Sequence, residues 1–446
     1  MKKIELSDHF SYGMILLYSL PAIGETLGIT SFQMVDGYFV STFLGVTPFA
    51  AVNFVSPIFF VLYGIGFMFG SGTSAIVAQH MGEKNMVLAN QVFSMSMAAL
   101  TLIGIVIGAL ATLFMPELSV LAGATESTLP YCTIYGRLLT IFLPVQLING
   151  AFLTLWVTAE KAWLGMAVSV ANGGLNVLMD WFFMGPLGMG IAGAAWATSL
   201  ATVITSVFTF VYFFRPNSSS LRFIRFGTGQ MRELIQICTN GFSEMTDSIS
   251  ANLTQLVMNH QLIQLIGEIG VAAMGVYSYV VEFFMAVFFG IASTSITVVG
   301  YKYGEKNKKE LESLLRKTTV LTFGLGVMMY LSFALLARPI AGFYIGYDDA
   351  AFELTARVLR ISSMGCLTAG FVVFSSSFFT GLEDGRTSAI IAGCNSLVLP
   401  VGMAFLLPAM FGAEAIWYAF PVASFITAIL CVFFLRTQYP RLMASI

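Results

Sequence analysis

The chain has 446 residues, 57% of them hydrophobic and 10% charged, with a formal net charge of −2. An ordinary soluble domain carries about 25% charged residues, so this composition, with a mean hydropathy of +0.84, belongs to a chain whose outer face meets lipid. It excludes a soluble enzyme, a disordered protein, a coiled coil and a nucleic-acid binder, since no basic stripe is present to release counterions from phosphates.

The chain opens with MKKIELSDHF, which mixes Lys, Glu, Asp and His before the first apolar run. A secretory leader has a basic start and a short apolar core. The first run is therefore expected to stay as a membrane anchor. About 20 apolar residues cross the hydrocarbon as a helix. Twelve such runs follow in order, near 12–40, 48–79, 90–113, 130–156, 162–183, 190–214, 234–262, 271–301, 313–337, 352–380, 386–408 and 413–435. The alternation of a membrane β-barrel is absent, which leaves helices to satisfy the backbone in lipid. The expected fold is an all-α integral membrane protein with twelve transmembrane helices. A polar stretch, RPNSSSLRFIRFGTGQMRE (215–233), follows the sixth run and reads as a linker on the cytoplasmic side. It separates an amino-terminal lobe, 1–214, from a carboxy-terminal lobe, 234–446.

Basic residues set the orientation. With the N-terminus inside, 17 of the 21 Lys and Arg residues fall in inside segments, among them Lys84, Lys161, Arg215, Arg222, Arg225, Lys302, Lys306 and Arg386. The outside loops hold Arg338, while Arg137, Arg357 and Arg360 lie within helices. This split supports twelve spans with both termini in the cytoplasm.

The two halves also match each other. At a shift of 222 residues SGTSAIVAQHMGEKN (71–85) lies over STSITVVGYKYGEKN (293–307). At the same shift Glu25 meets Asp247; at 223, Arg137 meets Arg360 and Glu160 meets Glu383; at 221, Trp196 meets Trp417. Six spans per half is an even number, so the repeats run parallel, related by an axis along the membrane normal. Two such lobes enclose a central cavity, and rocking them gives alternating access.

An ionisable group in hydrocarbon costs roughly 2.5–3.5 kcal/mol on insertion scales, so such groups face a cavity or a partner. Asp36 and Asp180 lie in the outer halves of the first and fifth spans. Asn176 precedes Asp180 by four residues, on the same helix face, and Thr198 lies at a similar depth in the sixth span. Two carboxylates, an amide and a hydroxyl suit Na⁺, or a proton shared by two carboxyls. Glu25, Glu244, Asp247 and Glu282 form a second set, placed to make an acidic substrate cavity lined by Phe and Met. Glu25 and Asp247 are symmetry mates positioned to face each other across the axis. Arg137 and Arg360 read as snorkelling or bridging residues. His9, His80 and His260 show no ligand spacing. The five cysteines (132, 238, 366, 394 and 431) are scattered in apolar segments without a CxxC, and read as structural. GSG (70–72) and GMGIAGAA (188–195) suit close helix packing. No Lys-Ser/Thr follows them, so they are not phosphate loops and no ATP site is expected.

These residues resemble the multidrug and toxic compound extrusion (MATE) family. The likeness rests on Pro21 with Asp36 in PAIGETLGITSFQMVDGYFV, on Asn176 and Asp180 in NGGLNVLMDWFF, on Thr198 in GMGIAGAAWATSLAT, and on the GEKN turns after the second and eighth spans. It covers essentially the whole chain. It implies two six-helix lobes and export coupled to inward H⁺ or Na⁺. It also implies an amino-lobe cation site at Asp36, Asn176, Asp180 and Thr198, with Asn149 of the fourth span as a further member that also lines the substrate cavity. One bacterial branch of that family has a carboxy-lobe glutamate two turns after a Gly-x-Pro. Here the run is GFS (241–243), and SSSFFTG (375–381) stands where that branch has helix-ten acids. The amino-lobe site is therefore expected to carry the coupling.

The reading is a secondary antiporter of the inner membrane, not an enzyme, that exports cationic amphipathic compounds. It is expected to be a lipid-embedded monomer without cofactor, taking H⁺ or Na⁺ as coupling ion. The alternative within the same broader fold is a flippase for a lipid-linked saccharide, which would want a cationic cavity. A passive channel is the other competitor, and no nucleophile-base set or metal spacing supports a membrane enzyme.

Overall fold

The structure, a computed structural model, describes residues 5–345 and 349–445. Lys2 and Lys3 lie outside the described residues. The longer described helices are numbered in chain order, bent or broken pairs together. The first six are α1 (Tyr12–Leu44), α2 (Val46–Gly82), α3 (Met86–Leu113), α4 (Leu129–Ile141 with Leu143–Thr158), α5 (Ala162–Met184) and α6 (Ile191–Phe214). The second six are α7 (Met231–Leu265), α8 (Glu268–Gly304), α9 (Lys308–Ile345), α10 (Asp349–Ser362 with Cys366–Gly381), α11 (Gly385–Gly393 running on to Leu399–Phe411) and α12 (Ala419–Thr437). Short helices stand at Met115–Leu121 and Tyr439–Ser445.

Ten of the described helices are long and apolar enough to cross a membrane, and bent α4 makes eleven. The remaining rod is α7, long enough at 35 residues but carrying Asn240, Glu244, Asp247 and Asn252 along its middle. A rod this polar is tolerated where it is covered by protein or lines a cavity. The 64° bend in α4 falls at Phe142, between its two segments. Pro144 opens the second segment, where its missing N–H leaves no broken bond. In α11 the backbone widens into a π-helical turn over Cys394–Val398, a local change that re-aims side chains.

Four non-glycine residues have left-handed backbone: Lys84 (φ 62°), Glu160 (φ 56°), Lys306 (φ 57°) and Glu383 (φ 63°). They follow α2, α4, α8 and α10, and they fall in the same symmetry pairs that the repeat gives. Each sits in one hydrogen-bonding pattern, seen in Asn85 N donating to His80 O and Asn307 N to Lys302 O, both at 2.9–3.0 Å. This is the left-handed helix stop that satisfies the last carbonyls. All four turns cluster at one end of the molecule, called here the GEKN end.

The two lobes meet toward that end. α2 packs along α7 and α8, and α1 along α8. Ser74 Oγ lies 2.7 Å from both Thr158 Oγ1 of its own lobe and Thr297 Oγ1 of the other. The segment before α1 straps the lobes together. Leu6 N donates to Glu160 Oε1 at 3.1 Å. On the other lobe Phe10 N donates to Glu310 Oε1 at 2.9 Å, His9 Nδ1 lies 2.6 Å from Glu310 Oε2, and Lys302 Nζ donates to Ser7 O at 2.9 Å. Leu6 and Phe10 are fully buried.

At the same end Glu383 faces the other lobe, close to Glu83 and to the Gln79 amide. Burial first, and Glu83 second, push the Glu383 carboxyl up to about 7. The closed arrangement thus holds a proton that an exposed glutamate would release above about pH 4.3. Its contribution to closure is present at low pH and is lost as pH rises through about 7. Between pH 8 and pH 6 the closed form should gain roughly ten-fold over the open one from this group. Labelling of a cysteine at buried Ser74 should slow accordingly at pH 6. Glu383→Gln should remove that part of the response. An unchanged pH profile in the variant would dismiss Glu383 as its source.

Candidate functional site

α1 and α5 run side by side, and their facing positions build the site. Asp36, half-buried on α1, meets fully buried Asp180 on α5. Their carboxyls lie within hydrogen-bonding reach of each other. Asp36 Oδ1 and both oxygens of Asp180 are buried and lack a hydrogen-bond partner among the described residues. Two buried carboxyls in contact repel unless a cation or a proton lies between them. Asn176 stands beside Asp180, one turn away on α5. Its Nδ2 donates to Thr198 Oγ1 of α6 at 3.2 Å. The structure thus brings Asp36, Asn176, Asp180 and Thr198 to one place.

Tyr135 of α4 is buried beside both carboxyls. The sequence reading missed it because nothing in its own neighbourhood marks it. The 64° bend of α4 follows it by seven residues.

Of the second set of acids, Glu244 and Asp247 are neighbours, while Glu25 has its own pocket. Glu25 is turned into the amino lobe, 5% exposed, and accepts a hydrogen bond from Ser169 Oγ of α5. Asn149 sits there too, taking the Tyr63 hydroxyl at 3.5 Å, and so lies apart from Asp36. Asp247 accepts from Ser396 Oγ, carried on the π-helical turn of α11. Each of the two symmetry mates therefore meets a serine on the fifth helix of its own lobe, instead of facing its counterpart across the axis. Glu244 stands near Asp247, and Glu282 is exposed on α8. Arg137 Nε donates to Thr112 O at 3.1 Å, and Arg357 bridges to Glu414 at 2.8 Å. Among the described residues no three His, Cys, Asp or Glu side chains cluster as a metal centre.

The pattern of the MatE family matches the chain twice, over residues 21–182 and 245–406. The multidrug export protein MepA of Staphylococcus saprophyticus is 24% identical over 447 residues, spanning 96% of this chain and 93% of its own. MepA of Staphylococcus aureus strain MRSA252 is 22% identical over 442 residues, spanning 94% and 93%. In fold, the chain superposes on a MATE crystallised with MaL6 at a TM-score of 0.92, with 23% identity and 99% of each chain covered. A multidrug resistance MATE transporter of the MOP superfamily in an outward-facing conformation gives 0.91, again at 23% identity and 99% coverage of both chains. With ten or eleven helices fit to cross a membrane among the described residues and a family match over most of its length, the chain is a multi-pass membrane protein and belongs to the MATE family of multidrug efflux transporters.

Proposed function

We propose that this transporter is a proton-coupled antiporter that exports cationic amphipathic compounds from the cytoplasm, with the GEKN end facing inward. The observation that carries this reading is the contact between the carboxyls of Asp36 and Asp180, with Asn176 beside them, in a buried site. A proton from outside shared by the pair relieves their repulsion. Loss of the proton restores it and shifts α1 against α5. Coupling needs the proton and the export substrate to disfavour each other, by about 1–3 kcal/mol in typical cases. The mutual lean of α1 on α5 and α8 supports α1 as the element that both ligands bias.

A second reading keeps the same residues but gives them Na⁺. The oxygens of Asn176 and Thr198 beside the carboxylates favour it, since Na⁺ is an oxygen-seeking cation like its hard divalent neighbours. Purified protein in liposomes separates the two. A fluorescent organic cation such as ethidium should move under a pH gradient without Na⁺. Movement under a Na⁺ gradient alone would transfer the site to Na⁺. Movement under neither would remove the antiport reading for this class of substrate.

The orientation and the single-chain state are part of the same proposal. The amino-terminal strap and the linker both meet Glu160 at the GEKN end, through Leu6 N and Ser220 Oγ. That places both ends of the amino lobe on one side, in line with the basic residues there.

A further inference from the structure

Glu25 has no part in the site just described, yet it is the more deeply buried acid of α1. It lies eleven residues before Asp36, which is three turns and about 20° on an ideal helix, or about 16 Å along it. The two acids therefore share one face of α1. Ser169 precedes Asp180 on α5 by the same eleven residues. α1 and α5 run in parallel, so the pair Glu25–Ser169 repeats the pair Asp36–Asp180 three turns nearer the GEKN end.

Around Glu25 the lobe leaves a cavity. It is lined by Asn149, Ser169, Ser206, Phe152 and Trp156, and has room for about one water molecule. Ser206 Oγ, 3% exposed, borders this space and has no hydrogen-bond partner among the described residues. No cationic side chain pairs with Glu25 among the described residues. An ionised carboxylate buried without a counter-charge costs several kcal/mol. The cavity, the unpartnered hydroxyl and the lone carboxyl together describe a site that accepts a proton and one water.

We propose that Glu25, with Ser169, Asn149 and Ser206, is a second proton-carrying site of this transporter, separate from Asp36–Asp180. The proposal rests on the proton-antiport reading above. Tyr63 of α2 is the titratable side chain that faces Glu25. From α4, α5 and α6 the groups are neutral. α8 touches the opposite side of α1, where Ser19 Oγ lies 2.7 Å from Thr294 Oγ1. α1 at this level is thus held between the lobes, so parting the lobes at the GEKN end frees the helix that carries Glu25. Each cycle then moves two protons inward, one on the aspartate pair and one on Glu25, against one exported cation.

The test is a flux balance in liposomes with the voltage clamped at zero and ethidium as substrate. Each proton exchanged lets one pH unit hold a ten-fold ethidium gradient at zero net flux, since ten-fold in concentration and one pH unit are the same free energy. The unaltered protein should balance near a 100-fold gradient, and Glu25→Gln near ten-fold. Glu25→Asp should restore 100-fold. A ten-fold balance in the unaltered protein overturns the second site without need of any variant, and leaves the first site standing. A Glu25→Gln protein that still balances at 100-fold overturns it as well. Absence of any pH-driven movement in the unaltered protein instead removes the antiport reading, and the second site with it.

Discussion

Asp36→Asn and Asp180→Asn should each cut gradient-driven export steeply while the protein still inserts and folds. Asparagine keeps the volume of aspartate and supplies a donor to the facing carboxyl. The carboxyl contact becomes an ordinary hydrogen bond, so the fold loses nothing. What disappears is the choice between a proton held and a proton lost. The coupling term goes with it, and driven accumulation should fall by roughly 5- to 150-fold, the span of a 1–3 kcal/mol coupling. Ethidium accumulation against a pH gradient in liposomes measures this. Ethidium binding in detergent should persist, because neither change removes an apolar contact. Driven transport by either variant at the unaltered rate would end the assignment of the coupling site.

The second large effect lies at the lobe interface. A Cβ on Gly82 would come within 2.1 Å of Tyr301 O, and one on Gly304 within 2.0 Å of Gln79 O. These are symmetry mates, each closing a long helix against the backbone of the other lobe. Backbone cannot swing aside as a side-chain tip can, so Gly82→Ala or Gly304→Ala should force the lobes apart. Overpacking costs about 1–3 kcal/mol, here charged against the closed GEKN end alone. The closed form should lose roughly 5- to 150-fold of its weight. A cysteine at Ser74, fully buried between the lobes, should react faster with maleimide by that order, and transport should slow. Unchanged labelling would show that this close contact does not govern closure.

The spans were legible because lipid imposes length and apolarity on each helix separately. α7 fails the apolar criterion on its own, and the expectation of a span there came from the repeat and from the sidedness of the basic residues. The contact of Asp36 with Asp180 was legible for a similar reason. Asn176 and Asp180 share a helix face by spacing alone, and the motif around Asp36 supplied the other helix. What stayed hidden depends on contacts between distant segments. Ser169 and Ser396 look like ordinary helix serines until α1 and α7 bring carboxyls to them. The π-helical turn under Ser396 has no signature in CNSLV. Glu25 and Asp247 were expected to face one another because symmetry relates them, but each is met by a serine of its own lobe, and these serines are not themselves symmetry mates. The GEKN turns announced two of the left-handed stops. The other two, at Glu160 and Glu383, lie in sequences that share no such motif.

The strap before α1 has a consequence for how the chain is made. His9 and its carboxylate partner Glu310 are 301 residues apart in sequence. At about 5–20 residues per second of synthesis, the partner is made roughly 15–60 s after the strap itself. During that interval α1 through α8 are made while His9 and Phe10 lack their Glu310 partner. The strap thus docks on its second-half partner late, and the GEKN end gains that contact only after the start of α9 has been made.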